Sequence, residues 1–80
     1  MKAFKHNEWV CKIANGTINN IEQVWIVDSQ EENQVIVKQW CKQKVIREKM
    51  FDCSELRAIT LNEFITVLSK LNNYDTETNH

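Results

Sequence analysis

Cysteine and histidine are the residue types of this chain best suited to nucleophilic or metal chemistry. A thiol acts as a nucleophile when a base lies within hydrogen-bond reach, but both histidines stand near chain termini that we expect to be mobile. Structural zinc sites use closely spaced cysteine pairs, and this chain has none. We therefore expect reduced, mostly buried thiols, with a metal site that also uses His6 as the alternative. The residues concerned are Cys11, Cys41, Cys53, His6 and His80.

Other catalytic patterns are also missing from the sequence. The chain has one glycine and no proline, so it has no glycine-rich loop that could hold a phosphate group. Glu31 and Glu32 form an acidic pair, but they lie in a predicted turn, where carboxylates are ordinarily solvated. Because no nucleophile, base and oxyanion donor could converge, the sequence predicts a protein without enzymatic activity and without a cofactor.

A basic band, KQWCKQKVIREK at 38–49, is the most unusual stretch of the chain. It holds half of the ten basic residues and a single acid. Lysines on a hairpin could neutralise phosphates, and Trp40 could stack on a base. The alternative is a solvated face, since charges on a sheet edge also deter edge-to-edge pairing. The outcome depends on whether Trp40 and Arg47 lie on one face of the predicted hairpin.

The three tryptophans form a second group of interest. Trp25 lies in the most apolar segment, VWIV, and is expected in the core. Trp9 and Trp40 alternate with charged neighbours, and exposed tryptophan beside lysine or arginine is typical of a protein-binding surface. Alternatively, both rings cap the ends of the hydrophobic core. The candidate partner-binding residues of the chain are therefore Trp9, Lys38, Trp40, Lys42, Lys44, Arg47 and Lys49.

These residues would be positioned by a series of short strands. Runs of branched and aromatic residues separated by polar turns predict strands, and Asn15-Gly16 predicts a type I′ hairpin turn between the first two. An alternative places a helix over 45–59, where Ile46 and Met50 are four residues apart. The predicted strands cover 8–14, 17–28, 34–42, 45–52 and a short stretch within 54–59.

One helix follows the strands. Thr60 and Glu63 form the capping box that begins a helix. Its predicted packing side carries Leu61, Phe64, Ile65, Leu68 and Leu71, with Glu63 on the solvent side. We expect a loose N-terminus at 1–7, a single small domain at 8–73 and a disordered tail at 74–80.

The fold predicted from this order is α+β: a small, strongly curved antiparallel sheet or barrel of four to five strands with one C-terminal helix. In strand order the chain resembles small β-barrels of the Tudor, KOW and Sm-like kind. The residues that carry the resemblance are Trp9-Val10, the Gly16 turn, VWIVD, QVIVKQW and SELRAI. The resemblance implies a protein that binds peptides or nucleic acid, and it assigns no site residues.

The sequence predicts a non-enzymatic small protein-binding module that acts on a partner protein or on a second copy of itself. Its many residues with A/T-rich codons indicate a low-GC bacterium, phage or mobile element as the source, and a phage or mobile-element regulator or inhibitor that binds a host protein would have these features. The alternative is a nucleic-acid-binding small barrel that uses the basic hairpin 38–49, although a net charge of −1 favours a protein partner. No apolar run has membrane-spanning length, and the first residues lack the apolar core of a signal peptide, so we expect a cytoplasmic protein that does not bind membranes.

Overall fold

The computed structural model describes residues 2–41 and 44–78, and the side chains of these residues except 40, 41, 46 and 72–78. Five strands precede one helix, and short 3-10 turns at Ile13–Asn15, Ile21–Gln23 and Cys53–Glu55 connect some of them. The elements are β1 (Trp9–Lys12), β2 (Trp25–Glu31), β3 (Gln34–Cys41), β4 (Lys44–Asp52), β5 (Leu56–Ala58) and α1 (Leu61–Thr78).

The strands form one antiparallel sheet in the order β4-β3-β2-β1-β5. β5 follows β4 in the chain but pairs with β1, so β4 and β5 are the two edges of the described sheet. The predicted fold class is thereby confirmed as a small antiparallel sheet with one C-terminal helix. The helical alternative over 45–59 is wrong, because β4 pairs with β3 along its length and Asp52 then caps a 3-10 turn through Ser54.

The hydrophobic core lies on both sides of β1. On one side, which we call the inner face, valines alternate along the strands and surround Trp25. The opposite side, the outer face, receives α1. The buried residues of the inner face are Val10, Trp25, Val27, Val35, Val37, Cys53 and Leu56, and those beneath the helix are Cys11, Ile18, Val24 and Val67.

Helix α1 is rotated from the predicted orientation. Leu61 and Ile65 are 72% and 52% exposed, whereas Val67 is buried and Glu63 is only 4% exposed. The expected packing side is therefore wrong for Leu61 and Ile65. The physical reason is that the Glu63 carboxylate finds hydrogen-bond donors at the sheet, including Arg57, and a buried charge with such partners can replace an apolar contact.

The predicted hairpin at Asn15-Gly16 is also wrong. β1 ends at Lys12 and β2 begins at Trp25, so a long connection with two 3-10 turns lies between them. Gly16 has a φ of 64°, which explains why glycine occupies this position. Further along, the Asn20 side chain accepts a hydrogen bond from the Glu22 backbone and begins a turn where a strand was expected.

Backbone hydrogen bonds reach two residues near the N-terminus. The stretch 1–7 was expected to be loose; within it, the Phe4 backbone donates to the Gln30 side chain at 2.9 Å and the Asn7 backbone donates to the Val27 carbonyl at 2.7 Å. At the other end, α1 continues to Thr78, past the expected boundary at 73. The stretch 74–78 contains no glycine or proline that would end the helix earlier.

Candidate functional site

The register of β3 and β4 separates the basic band onto two faces. Lys38 is opposite Glu48, Gln39 is opposite Arg47, and Val37 is opposite Lys49. Directly opposed residues of an antiparallel pair lie on the same face of the sheet. Because Val37 and Gln39 are buried on the inner side, Arg47 and Lys49 lie on the inner face, while Lys38 lies on the outer face.

A β-bulge adds Lys44 to the inner group. Arg47 is opposite Gln39, but the next pair joins Trp40 to Val45, so β4 contains one extra residue at this point. An extra residue inverts the alternation of the strand beyond it. Lys44, opposite Cys41, therefore lies on the same face as Arg47 although the two are an odd number of positions apart.

A fourth base reaches the inner face from β1. Lys12 is two positions from the buried Val10 in β1 and therefore lies on the same face of the sheet. Its ammonium nitrogen lies 5.0 Å from the centre of the Phe51 ring. Phe51 is opposite Val35 and is partly buried against the inner core. We name the inner basic surface as Lys12, Lys44, Arg47 and Lys49, with Phe51 among them.

The acids of the described strands lie on the other side of the sheet. Glu31, Glu48 and Asp52 are opposite outer-face residues of β3, and Asp28 accepts a hydrogen bond from Lys38 at 2.9 Å. This hydrogen bond holds the pKa of the Asp28 carboxyl below its usual range. Within the described strands, no aspartate or glutamate therefore falls on the inner face, and the charged side chains that these strands place there are all basic.

Arg47 is held in place by two neighbours. Its Nε donates to the Gln39 Oε1 at 2.9 Å, and its guanidinium carbon lies 5.2 Å from the centre of the Trp25 ring. Gln39 is 6% exposed and donates through Nε2 to the Glu22 and Val24 carbonyls at 2.7 and 3.0 Å. The arginine thus rests on buried groups while remaining exposed itself.

The predicted site residues are not all brought together. Lys44, Arg47 and Lys49 share the inner basic surface, whereas Lys38 lies on the outer face. Trp9 is partly buried, with its ring centre 5.0 Å from that of Phe64, so it supports the helix contact. Lys42 and the Trp40 side chain lie outside the described residues.

Sequence reasoning missed Lys12, Gln39 and Phe51. Lys12 was a single base in an otherwise unremarkable strand, more than thirty positions from β4. The spacing of two residues between Lys12 and Val10 is the one signal in the sequence that assigns Lys12 to the core-facing side of the strand. Gln39 carries no charge, and nothing in the sequence indicates that its amide binds two backbone carbonyls.

A second charged group joins α1 to the sheet. The Glu63 carboxylate accepts hydrogen bonds from both Nη atoms of Arg57 at 2.8 Å, from the Ile18 backbone at 2.8 Å and from the Thr60 backbone at 2.8 Å. These bonds, chiefly those from Arg57, hold the pKa of Glu63 well below its usual range. A cleft of about 340 Å³ lies beside them. Since Arg57 and Glu63 bind each other, they stabilise the fold.

Cys11 and Cys53 lie buried in different core clusters, and burial raises the pKa of the Cys11 thiol. Among residues 2–41 and 44–78, no group of three or more histidine, cysteine, aspartate or glutamate side chains could hold a metal ion. No helix in that part of the chain is both long and apolar enough to cross a membrane.

Comparisons with protein-family models, curated proteins and solved structures found no match.

Proposed function

We propose that the protein is a non-enzymatic module that binds nucleic acid through the inner basic surface. The observation that supports this proposal is the segregation of charge: four bases share one face on which the described strands place no acid. Cations that approach a phosphate backbone release its condensed counterions, which favours binding. A net charge of −1 is compatible with this, because the acids of the described strands lie on the outer face.

The spacing of the bases suits a chain of anions. Residues two apart on a strand are separated by about 6.6 Å along it, so Arg47 and Lys49 present regularly spaced charges. Lys44, the first residue of β4, extends the row toward the start of the strand. Lys12 lies beside Phe51. Contacts to phosphates position a nucleic acid without reading its bases. The proposed activity is therefore binding with little preference for sequence.

The test is a matched pair of charge reversals, Lys49→Glu and Lys70→Glu. Both change the net charge equally, but Lys49 belongs to the inner basic surface and Lys70 is an exposed residue of α1. Affinity is measured by fluorescence anisotropy with labelled single-stranded DNA, single-stranded RNA and duplex DNA over a salt series. We expect Lys49→Glu to weaken binding about tenfold, and Lys70→Glu to stay within about twofold of wild type.

Two results would contradict the proposal. One is an absence of wild-type binding to all three probes at low salt. The other is an equal loss of affinity in both variants, because this would assign binding to overall charge and not to the inner face. A steep fall of wild-type affinity with salt is expected in addition, since phosphate contacts release counterions.

A second candidate function is binding of a partner protein, as the sequence predicts for a cytoplasmic regulator. The observation that favours it is exposed apolar surface: Met50 is 60% exposed on the outer face of β4, and Leu61 and Ile65 are 72% and 52% exposed on α1. Such residues often contact proteins. A partner retained after nuclease treatment and lost with Met50→Glu and Ile65→Glu would favour this function; a partner released by nuclease would contradict it.

A further inference from the structure

The inner basic surface contains a side chain that is oriented before any ligand binds. Arg47 donates from Nε to Gln39, and its guanidinium lies over the Trp25 ring. A guanidinium has five N–H donors, of which Nε carries one. Among the described residues, Arg47 makes no other hydrogen bond, so the four donors on its two Nη atoms are not engaged there, and the side chain is exposed.

Gln39 determines this orientation because it cannot turn freely. Its Nε2 donates to two backbone carbonyls, of Glu22 and Val24. A glutamine amide has two N–H donors and one acceptor oxygen, so with both donors engaged the oxygen must point the other way, toward Arg47. Rotation of the amide would leave buried carbonyls without donors, which is costly. Gln39 is thus a positioning residue for Arg47.

Trp25 is the second contact of the same guanidinium, whose carbon lies 5.2 Å from the ring centre. The indole is 5% exposed and contacts the Phe51 ring edge-on, with 5.5 Å between ring centres. A ring held in the core offers a rigid surface on which a guanidinium can stack. With Nε bound on one side and a ring beneath, Arg47 has lost much of the side-chain freedom that an exposed arginine ordinarily keeps.

We propose that Arg47 is the phosphate anchor of the inner basic surface. Its Nη1 and Nη2 donate together to two oxygens of one backbone phosphate, while Lys44 and Lys49 bind phosphates on either side. Paired N–H···O bonds match the geometry of an oxyanion, and a side chain that is already ordered loses less entropy on binding. This inference rests on the proposed function and adds the residue that fixes the position of the backbone.

A phosphate fits the surface better than a single carboxylate does. An isolated carboxylate would engage the arginine and leave the neighbouring lysines unused, whereas a polymer of anions engages the row. An acidic protein segment is the competing ligand of the same charge, and poly-glutamate therefore serves as a second probe beside the nucleic acids.

The test exchanges a guanidinium for an ammonium group at one position and makes the reverse exchange at a control position. Arg47→Lys keeps the charge and removes the paired donors; Lys70→Arg is its control, because it makes the reverse exchange at an exposed residue of α1, outside the inner basic surface. Gln39→Met removes the positioning acceptor without changing charge. Binding is measured by anisotropy with the full chain, and folding is checked by circular dichroism and thermal unfolding.

We expect Arg47→Lys to weaken nucleic-acid binding about tenfold with an unchanged salt slope, and Lys70→Arg to stay within about twofold of wild type. If Gln39→Met folds, it should weaken binding similarly and add little to Arg47→Lys. If the Arg47→Lys variant binds nucleic acid with wild-type affinity, the assignment of Arg47 as the phosphate anchor is wrong. The proposed function still stands in that case if Lys49→Glu weakens binding. Absence of wild-type binding to nucleic acid would overturn both, and binding of poly-glutamate alone would overturn the phosphate assignment.

Discussion

The two arginines of the chain occupy opposite faces of the sheet and use their donors differently. Arg57 directs its Nη atoms to Glu63, to the Gly16 carbonyl at 2.7 Å and to the Ala58 carbonyl at 3.2 Å. Arg47 has its Nε bound by Gln39, and its Nη atoms make no hydrogen bond among the described residues. Both side chains are ordered by neighbours, but in Arg57 the order joins segments of the fold, whereas in Arg47 it leaves donors available to a ligand.

This difference shows how charge is divided in a small domain. Where a cation meets an acid, as at Arg57, the pair connects β5, the β1–β2 connection and α1. Where bases share a face without acids, as on the inner basic surface, the field is uncompensated and extends into solvent. Such a surface adds little to stability, and its repulsion is relieved when an anion binds.

The largest expected difference between the arginines is in stability. Arg57→Met leaves the buried Glu63 carboxylate without its cation, which we expect to lower the free energy of unfolding by about 3 kcal/mol. Arg47→Met removes a part-buried hydrogen bond and a cation–π contact, at a cost of about 1 kcal/mol. Urea unfolding followed by tryptophan fluorescence measures both, with the denaturant slopes compared. Equal losses would remove the distinction between the two residues.

The next effect is on pH dependence. Because the folded pKa of Glu63 lies below its value of 4.5 in an unfolded chain, its contribution to stability is complete above that value and decreases as the pH falls below it. Lowered pKa values of Asp28 and Asp52 act in the same direction. Between about pH 5 and about pH 3, the melting temperature of wild type should therefore fall more steeply than that of Glu63→Gln. Identical pH profiles would exclude Glu63 as a source of acid sensitivity.

The smallest expected effect is on the salt slope of binding. Four phosphate contacts on a single strand correspond to a slope of about −3 for the logarithm of affinity against that of salt concentration. Removing one cation by Arg47→Met should reduce its magnitude by about 0.7, whereas Arg57→Met should leave it unchanged as long as the protein is folded. A reduced slope in Arg57→Met would place that arginine, too, at the ligand.

Local sequence signals were sufficient for most of the fold. The strands follow alternating branched and aromatic residues, and the helix begins at the predicted capping box, where Glu63 donates its backbone N–H to Thr60 Oγ1 at 3.1 Å. The helix orientation could not be predicted, because hydrophobicity assigns Glu63 to solvent and cannot show that Arg57 binds it. The prediction of a hairpin after Lys12 was wrong for a similar reason, because the Asn20 cap competes with the hairpin signal of Asn15-Gly16.

The candidate site was predictable only in part. The basic band identified Lys44, Arg47 and Lys49, but their common face depends on the register with β3 and on the bulge, which are tertiary properties. Lys12 joins them because β1 and β4 border the same core, a relation that no local pattern contains. The sequence favoured a protein partner on the basis of net charge, whereas the face-by-face distribution of charge favours the nucleic-acid proposal.

The bulge in β4 has a consequence for how this surface could vary. If the pairing beyond Gln39 closed into a regular ladder, with Trp40 opposite Ile46, Lys44 would change faces while every residue of the chain stayed the same. Deletion of Ile46 would instead preserve the present pairing of Lys44 with Cys41. Strand register is thus an independent variable for the electrostatics of this protein, and mutations without any charge change could create or remove a binding surface.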